Sequence, residues 1–85
     1  KDLKERIEEI CEQYKLTPRE KEFIDLIYSG KSNKEIAEIL FLSESTVKTH
    51  IYNIFRKMNV KSRVEVIYIV NEEKSEDEKK GQIND

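Results

Sequence analysis

The sequence predicts an all-α fold: an amphipathic leading helix, four further helices in close succession, and an acidic, disordered tail. Three observations predict it. Apolar residues recur at i, i+3, i+4 and i+7 in successive windows, which is the spacing of one helix face. Three of those windows open on Ser or Thr with Glu three residues later, the pairing that satisfies the free N–H groups of a helix start. Only two Gly, one Pro and no Trp stand among 85 residues, which suits small charged helices better than a sandwich or barrel of many tight turns.

In the leading helix, residues 3–14, Leu3, Ile7, Ile10, Cys11 and Tyr14 share one face, with Glu5, Arg6, Glu8, Glu9 and Glu12 elsewhere. The preferred use of this stripe is packing between an upstream domain and this one. A coiled-coil dimer contact is the alternative, although under two heptads is short for one. The next helix is announced by Thr17-Pro18-Arg19-Glu20: Thr17 caps, Pro18 suits the first helical position, and Glu20 reaches back to complete a capping box. Its inward residues are Phe23, Ile24, Leu26 and Ile27, and Gly30 ends it in a left-handed conformation. Ser32 with Glu35 opens a short helix to about Leu40, inward through Ile36, Ala37 and Leu40.

After Phe41-Leu42-Ser43, Ser43 caps a longer helix in which Val47, Ile51, Ile54 and Met58 fall on one side, and Asn59 ends it. Ser62 with Glu65 is the third capping box, opening a helix to about Asn71. The run Val66-Ile67-Tyr68-Ile69-Val70 is β-prone, but a lone strand would have nothing to pair with, so the cap decides for helix. Glu, Lys, Asp and Ser dominate from Glu72 onward, a composition that cannot bury enough apolar surface to fold. The chain thus divides into a leading helix or linker (1–15), a helical domain (16–71) and a charged tail (72–85).

A chain of this size holds one domain with a marginal core, for which a dimer partner or a larger protein is expected. It does not begin with Met, and further sequence upstream is expected. No run approaches the ~18 apolar residues of a membrane span, and none resembles a signal-peptide core, so no membrane contact is expected. Cys11 and His50 are the only residues of their kinds, which leaves no internal disulfide and no soft-metal cluster. No metal and no cofactor are expected, and the setting is cytoplasmic. Cys11 reads as a small core hydrophobe before a redox sensor. His50 lacks a positioned nucleophile, so it reads as packing or a phosphate contact and not as a catalytic base. No catalytic residue is expected, and the chain is not read as an enzyme.

A formal net charge of −2 argues against a nucleic-acid partner, but the distribution argues for one. Both ends are acidic, whereas residues 43–63 carry Lys48, Arg56, Lys57, Lys61 and Arg63 against Glu44 alone. Between Ser32 and Met58 a short helix, a three-residue turn and a second helix have the form of a helix-turn-helix. Ala37 is small where two helices cross, and Leu42 is an apolar plug in the turn. Anchoring the second helix through Val47, Ile51, Ile54 and Met58 turns Ser45, Thr49, Tyr52 and Arg56 outward, flanked by Lys48 and Asn53. All six are polar and none is acidic, as a surface facing phosphates and base edges requires.

Four blocks, Leu16-Thr17-Pro18-Arg19-Glu20-Lys21-Glu22, Gly30-Lys31-Ser32-Asn33-Lys34-Glu35-Ile36-Ala37, Ser43-Glu44-Ser45-Thr46-Val47-Lys48-Thr49-His50 and Lys57-Met58-Asn59-Val60-Lys61-Ser62-Arg63, together resemble the LuxR/FixJ-type (GerE-like) helix-turn-helix family of bacterial transcriptional regulators. The resemblance runs from Leu16 to about Val70. It implies four helices, sequence-specific binding of double-stranded DNA by the third of them, and homodimers pairing through the fourth on inverted half-sites. A receiver domain, as in response regulators, or a ligand-binding domain would lie upstream. Carried over, base reading falls on Lys48, Thr49 and Tyr52, where many relatives have a basic residue in place of Tyr52. Phosphate contacts fall on Ser45, Thr46, Asn53, Arg56 and Lys57, and the dimer interface on Val64, Tyr68 and Asn71. Arg63 is either a phosphate contact or an internal salt bridge to Glu20 or Glu22, the second being preferred. The last helix presents Val64 and Tyr68 on a different side from Val66, Ile67 and Val70, so one core cannot bury both sets. Two rivals remain: the promoter-reading end of a sigma factor, and a helical interaction module that has lost DNA affinity.

Overall fold

The computed structural model describes residues 2–72, and these form α1 (Leu3–Gln13), α2 (Pro18–Tyr28), α3 (Asn33–Leu40), α4 (Glu44–Met58) and α5 (Arg63–Asn71). The all-α reading holds for these residues. The segment expected to be a disordered tail lies, from 73 onward, outside them.

Local chemistry sets the helix starts. Thr17 and Ser32 accept the N–H of Glu20 and Glu35, and each Glu accepts the cap residue's own N–H at 2.8 Å. α1 begins with the same device, Asp2 with Glu5, which the sequence reading passed over. At α5 the box is shifted by one: Ser62 accepts from Glu65 N–H, but the backbone N–H that the Glu65 carboxylate accepts is that of Lys61 and not that of Ser62.

The helix ends follow one pattern. Lys15, Gly30, Phe41 and Asn59 all take positive φ, at 57°, 85°, 59° and 56°. In each case the next residue's N–H returns to a carbonyl five residues back: Leu16 to Cys11, Lys31 to Leu26, Leu42 to Ala37, Val60 to Phe55. Gly30 and Asn59 are residues that adopt this geometry readily; Lys15 and Phe41 are not. At those two sites the following leucine, Leu16 or Leu42, packs against the core, and this burial offsets the backbone cost. Phe41 itself is left 93% exposed.

Thirteen buried apolar residues form the core, from Ile7 and Ile10 of α1 through Phe23, Ile24 and Ile27 of α2 to Val66 and Val70 of α5. All four expected inward residues of α4, Val47, Ile51, Ile54 and Met58, are in it. Leu26 and Leu40 sit at its edge, half-buried. α3 packs chiefly on α4, and α2 contacts α1, α4 and α5. α1 also lies against α5, so the stripe packs on this domain, the near side of the contact expected for it. Arg6 fastens it there, donating to the Ile69 carbonyl near the end of α5 at 2.8 Å.

Candidate nucleic-acid interface

With its apolar side locked into the core, α4 presents Ser45, Lys48, Thr49, Tyr52, Asn53, Arg56 and Lys57 as exposed residues, and Thr46 half-buried. Fifteen residues at 1.5 Å each make α4 about 22 Å long, and a single helix fits the ~12 Å width of a major groove. Its charges also suit the helix dipole, with Glu44 in the first turn and Arg56 and Lys57 in the last.

The N-terminal turn of α4 is a cluster of hydroxyls. Ser43 Oγ accepts from Thr46 N–H at 3.1 Å and donates to Thr46 Oγ1 at 2.9 Å, while Ser45 Oγ lies 3.1 Å from it. Thr49 Oγ1 donates to the Ser45 carbonyl at 3.1 Å, so its proton is engaged and its oxygen and methyl remain for a partner. Tyr52 is 62% exposed, and the Arg56 guanidinium lies 5.8 Å from its ring centroid, within cation–π range. Thr49, Tyr52 and Arg56 therefore share one open face, with Lys48 on one side of it and Asn53 and Lys57 on the other.

Lys57 has a second engagement. Its Nζ donates to Glu20 Oε1 at 2.8 Å and lies 3.5 Å from the Lys15 carbonyl. Burial pushes the Glu20 carboxyl up, but the bonds from Lys57 and from Thr17 N–H outweigh it and hold the group below the usual carboxylate range. With Glu20 paired to Lys57, and Glu22 to Arg19 at 2.9 Å, the salt bridge expected for Arg63 does not form. Arg63 is an internal contact, but it donates to the Lys31 carbonyl at 2.9 Å and to Asn33 Oδ1, tying the start of α5 to the α2–α3 turn.

His50 lies beside the exposed face of α4 with its ring 4.8 Å from that of Phe23, which is the packing reading. Cys11 is half-buried against the core, and burial pushes its thiol up, away from the reactive thiolate. Among the described residues no three His, Cys, Asp or Glu side chains gather as a metal site needs, and no helix is long and apolar enough to cross a membrane. On α5, Val64 and Tyr68 are 74% and 63% exposed while Val66 and Val70 are buried, the two-sided pattern expected. Asn71 accepts a bond from Tyr28 Oη at 2.5 Å, an internal role the sequence did not reveal.

Residues 14–70 match the family described as "Bacterial regulatory proteins, luxR family". The chain is 51% identical over 57 residues to the probable csgAB operon transcriptional regulatory protein of Salmonella typhimurium, covering 67% of this chain and 26% of that protein. It is 54% identical over 52 residues to the uncharacterized transcriptional regulatory protein YhcZ of Bacillus subtilis, with coverages of 61% and 24%. With the nitrate/nitrite response regulator protein NarL of Escherichia coli it shares 48% over 59 residues, at 69% and 27%. The chain thus spans about a quarter of the length of these curated relatives. No solved structure matches it. The matched residues include α3 and α4, whose second helix is polar and exposed on one side: the chain belongs to the luxR family of bacterial regulatory proteins, and residues 14–70 are its helix-turn-helix DNA-binding domain.

Proposed function

We propose that the chain is the sequence-specific DNA-binding output of a bacterial transcriptional regulator, with α4 in the major groove and two copies pairing through α5. The observation that carries this is the outward face of α4. All but the half-buried Thr46 of the residues concerned are exposed there, which supports assigning base edges to Lys48, Thr49 and Tyr52 and phosphates to Ser45, Thr46, Asn53, Arg56 and Lys57. A receiver or ligand-binding domain would occupy much of the remaining three-quarters of the regulator, and the work would take place in the cytoplasm beside the chromosome. Mobility shifts with fragmented genomic DNA at low salt test the reading. Retention of a subset of fragments supports it, and no retention at any salt supports an interaction module instead.

The paired state rests on Val64 and Tyr68, exposed on a helix whose opposite side is already in the core. Val64→Glu and Tyr68→Glu should leave the helical signal intact while weakening self-association and operator binding together. Sedimentation alongside operator titration checks this, and variants that bind as tightly as the parent would move the interface elsewhere. At micromolar concentration the isolated chain should be largely monomeric, because so small a stripe falls well below the ~800 Å² per partner of a stable interface.

A further inference from the structure

Glu20 is the one charged side chain buried among the described residues, at 7% exposure. Its Oε1 accepts two bonds of 2.8 Å, from the Thr17 N–H at the start of α2 and from Lys57 Nζ in the last turn of α4. Capping alone does not account for the burial or for the lysine. Glu35 completes the same box at the start of α3 and remains exposed. What distinguishes Glu20 is that it spans two helices.

The Lys57 ammonium has three N–H groups. One goes to Glu20, a second points to the Lys15 carbonyl, and the side chain keeps 37% of its surface in solvent. It stands at the rim of an open groove lined by Glu20, Asn53, Arg56 and Lys57. Asn53, Arg56 and Lys57 are spaced i, i+3 and i+4, so they form one flank of α4. A lysine that is loose in solvent must give up rotamer freedom to hold a phosphate, and one that is already held has little left to lose.

We propose that Glu20 is a positioning residue for DNA binding: its buried carboxylate fixes the Lys57 ammonium on the flank of α4, leaving one N–H for a backbone phosphate. This rests on the reading of Lys57 as a phosphate contact. The tether exchanges attraction for placement. Glu20 offsets part of the lysine's charge, yet it is itself held by Thr17 and cannot follow the ammonium away.

The test uses the whole chain with Glu20→Gln, Lys57→Ala and both together, titrated against a short random-sequence duplex across a salt series. Circular dichroism and melting confirm the fold of each variant. Lys57→Ala should weaken binding and lower the slope of log affinity on log salt by roughly one. Glu20→Gln keeps an acceptor for Thr17 but loses the charge that holds the ammonium. It should weaken binding several-fold in the parent and have no further effect once Lys57 is Ala. Equal losses in both backgrounds would mean that Glu20 acts only through the α2 cap, which overturns the proposal. Unchanged or tighter binding by Glu20→Gln overturns it too, since the carboxylate would then merely neutralise the lysine. If Lys57→Ala itself binds normally, the phosphate reading of Lys57 fails and the proposal falls with it, a result distinct from the other two. Should Glu20→Gln not fold, Lys57→Arg serves: a planar fork cannot sit in a tether built for a point charge, so it should bind less tightly than the parent and more tightly than Lys57→Ala. Parity with the parent is the overturning result.

Discussion

Phe23→Ala should lower the unfolding free energy by about 3–5 kcal/mol, the usual cost of deleting a fully enclosed phenyl ring. Phe23 has no exposed surface, and its ring meets that of His50 at 4.8 Å, so the cavity would open between α2 and α4. At ~0.05–0.15 kcal/mol per residue, a domain of this length has roughly 4–13 kcal/mol in all. The single change therefore removes a large part of the total. At ~4–8 °C per kcal/mol, the midpoint of thermal unfolding should fall by at least about 12 °C. Phe23→Leu keeps most of the volume and should cost distinctly less. Urea and thermal melts followed by circular dichroism report both. A drop below about 1 kcal/mol for the Ala variant would show that the contact between α2 and α4 is looser than described.

Lys48→Ala should cost about 1–3 kcal/mol on the preferred half-site, a loss of roughly 5- to 150-fold, and much less on random DNA. The asymmetry follows from position. Lys48 lies in the first half of α4 on its exposed side, away from the flank of Asn53 and Lys57, so what it contributes is expected only where the right base is. Tyr52 needs three substitutions, because its side chain does more than one thing. It faces outward, and it lies under the Arg56 guanidinium at 5.8 Å. Tyr52→Phe removes only the hydroxyl and should relax preference at one base pair per half-site. Tyr52→Ala should do that and also loosen Arg56, weakening binding to all sequences. Tyr52→Lys should change which base is chosen. Selection from randomised half-sites with each variant reads all four. An unaltered preference for Lys48→Ala and Tyr52→Lys would mean that another surface reads the bases.

Whether a feature was legible in the sequence depended on how far apart its partners lie. Capping boxes span three residues, so Thr17–Glu20 and Ser32–Glu35 could be read directly, and the inward stripe of α4 follows from spacing alone. Left-handed helix ends were legible where the residue itself announces them, at Gly30 and Asn59. They were illegible at Lys15 and Phe41, where the burial of the next leucine imposes the geometry. The partners of Arg63, Glu20 and Asn71 lie 30 to 43 positions away. Charge balance could say that Arg63 needs an acceptor but could not choose between a carboxylate and a carbonyl. The exposed face of α4 was foreseen because a helix with one side fixed has only one other. Lys57 was foreseen as a flank residue, but nothing near it in sequence pointed to Glu20.

The family match begins at residue 14, yet Ile7 and Ile10 are among the most deeply enclosed residues of the molecule, and Arg6 reaches from the same helix to the Ile69 carbonyl. The border drawn by kinship and the border drawn by packing therefore fall in different places. The match takes in α2 to α5, whereas the helix in front of it is a wall of the same core. A boundary taken from resemblance alone would cut this molecule through its hydrophobic interior: the unit that matches is shorter than the unit that packs.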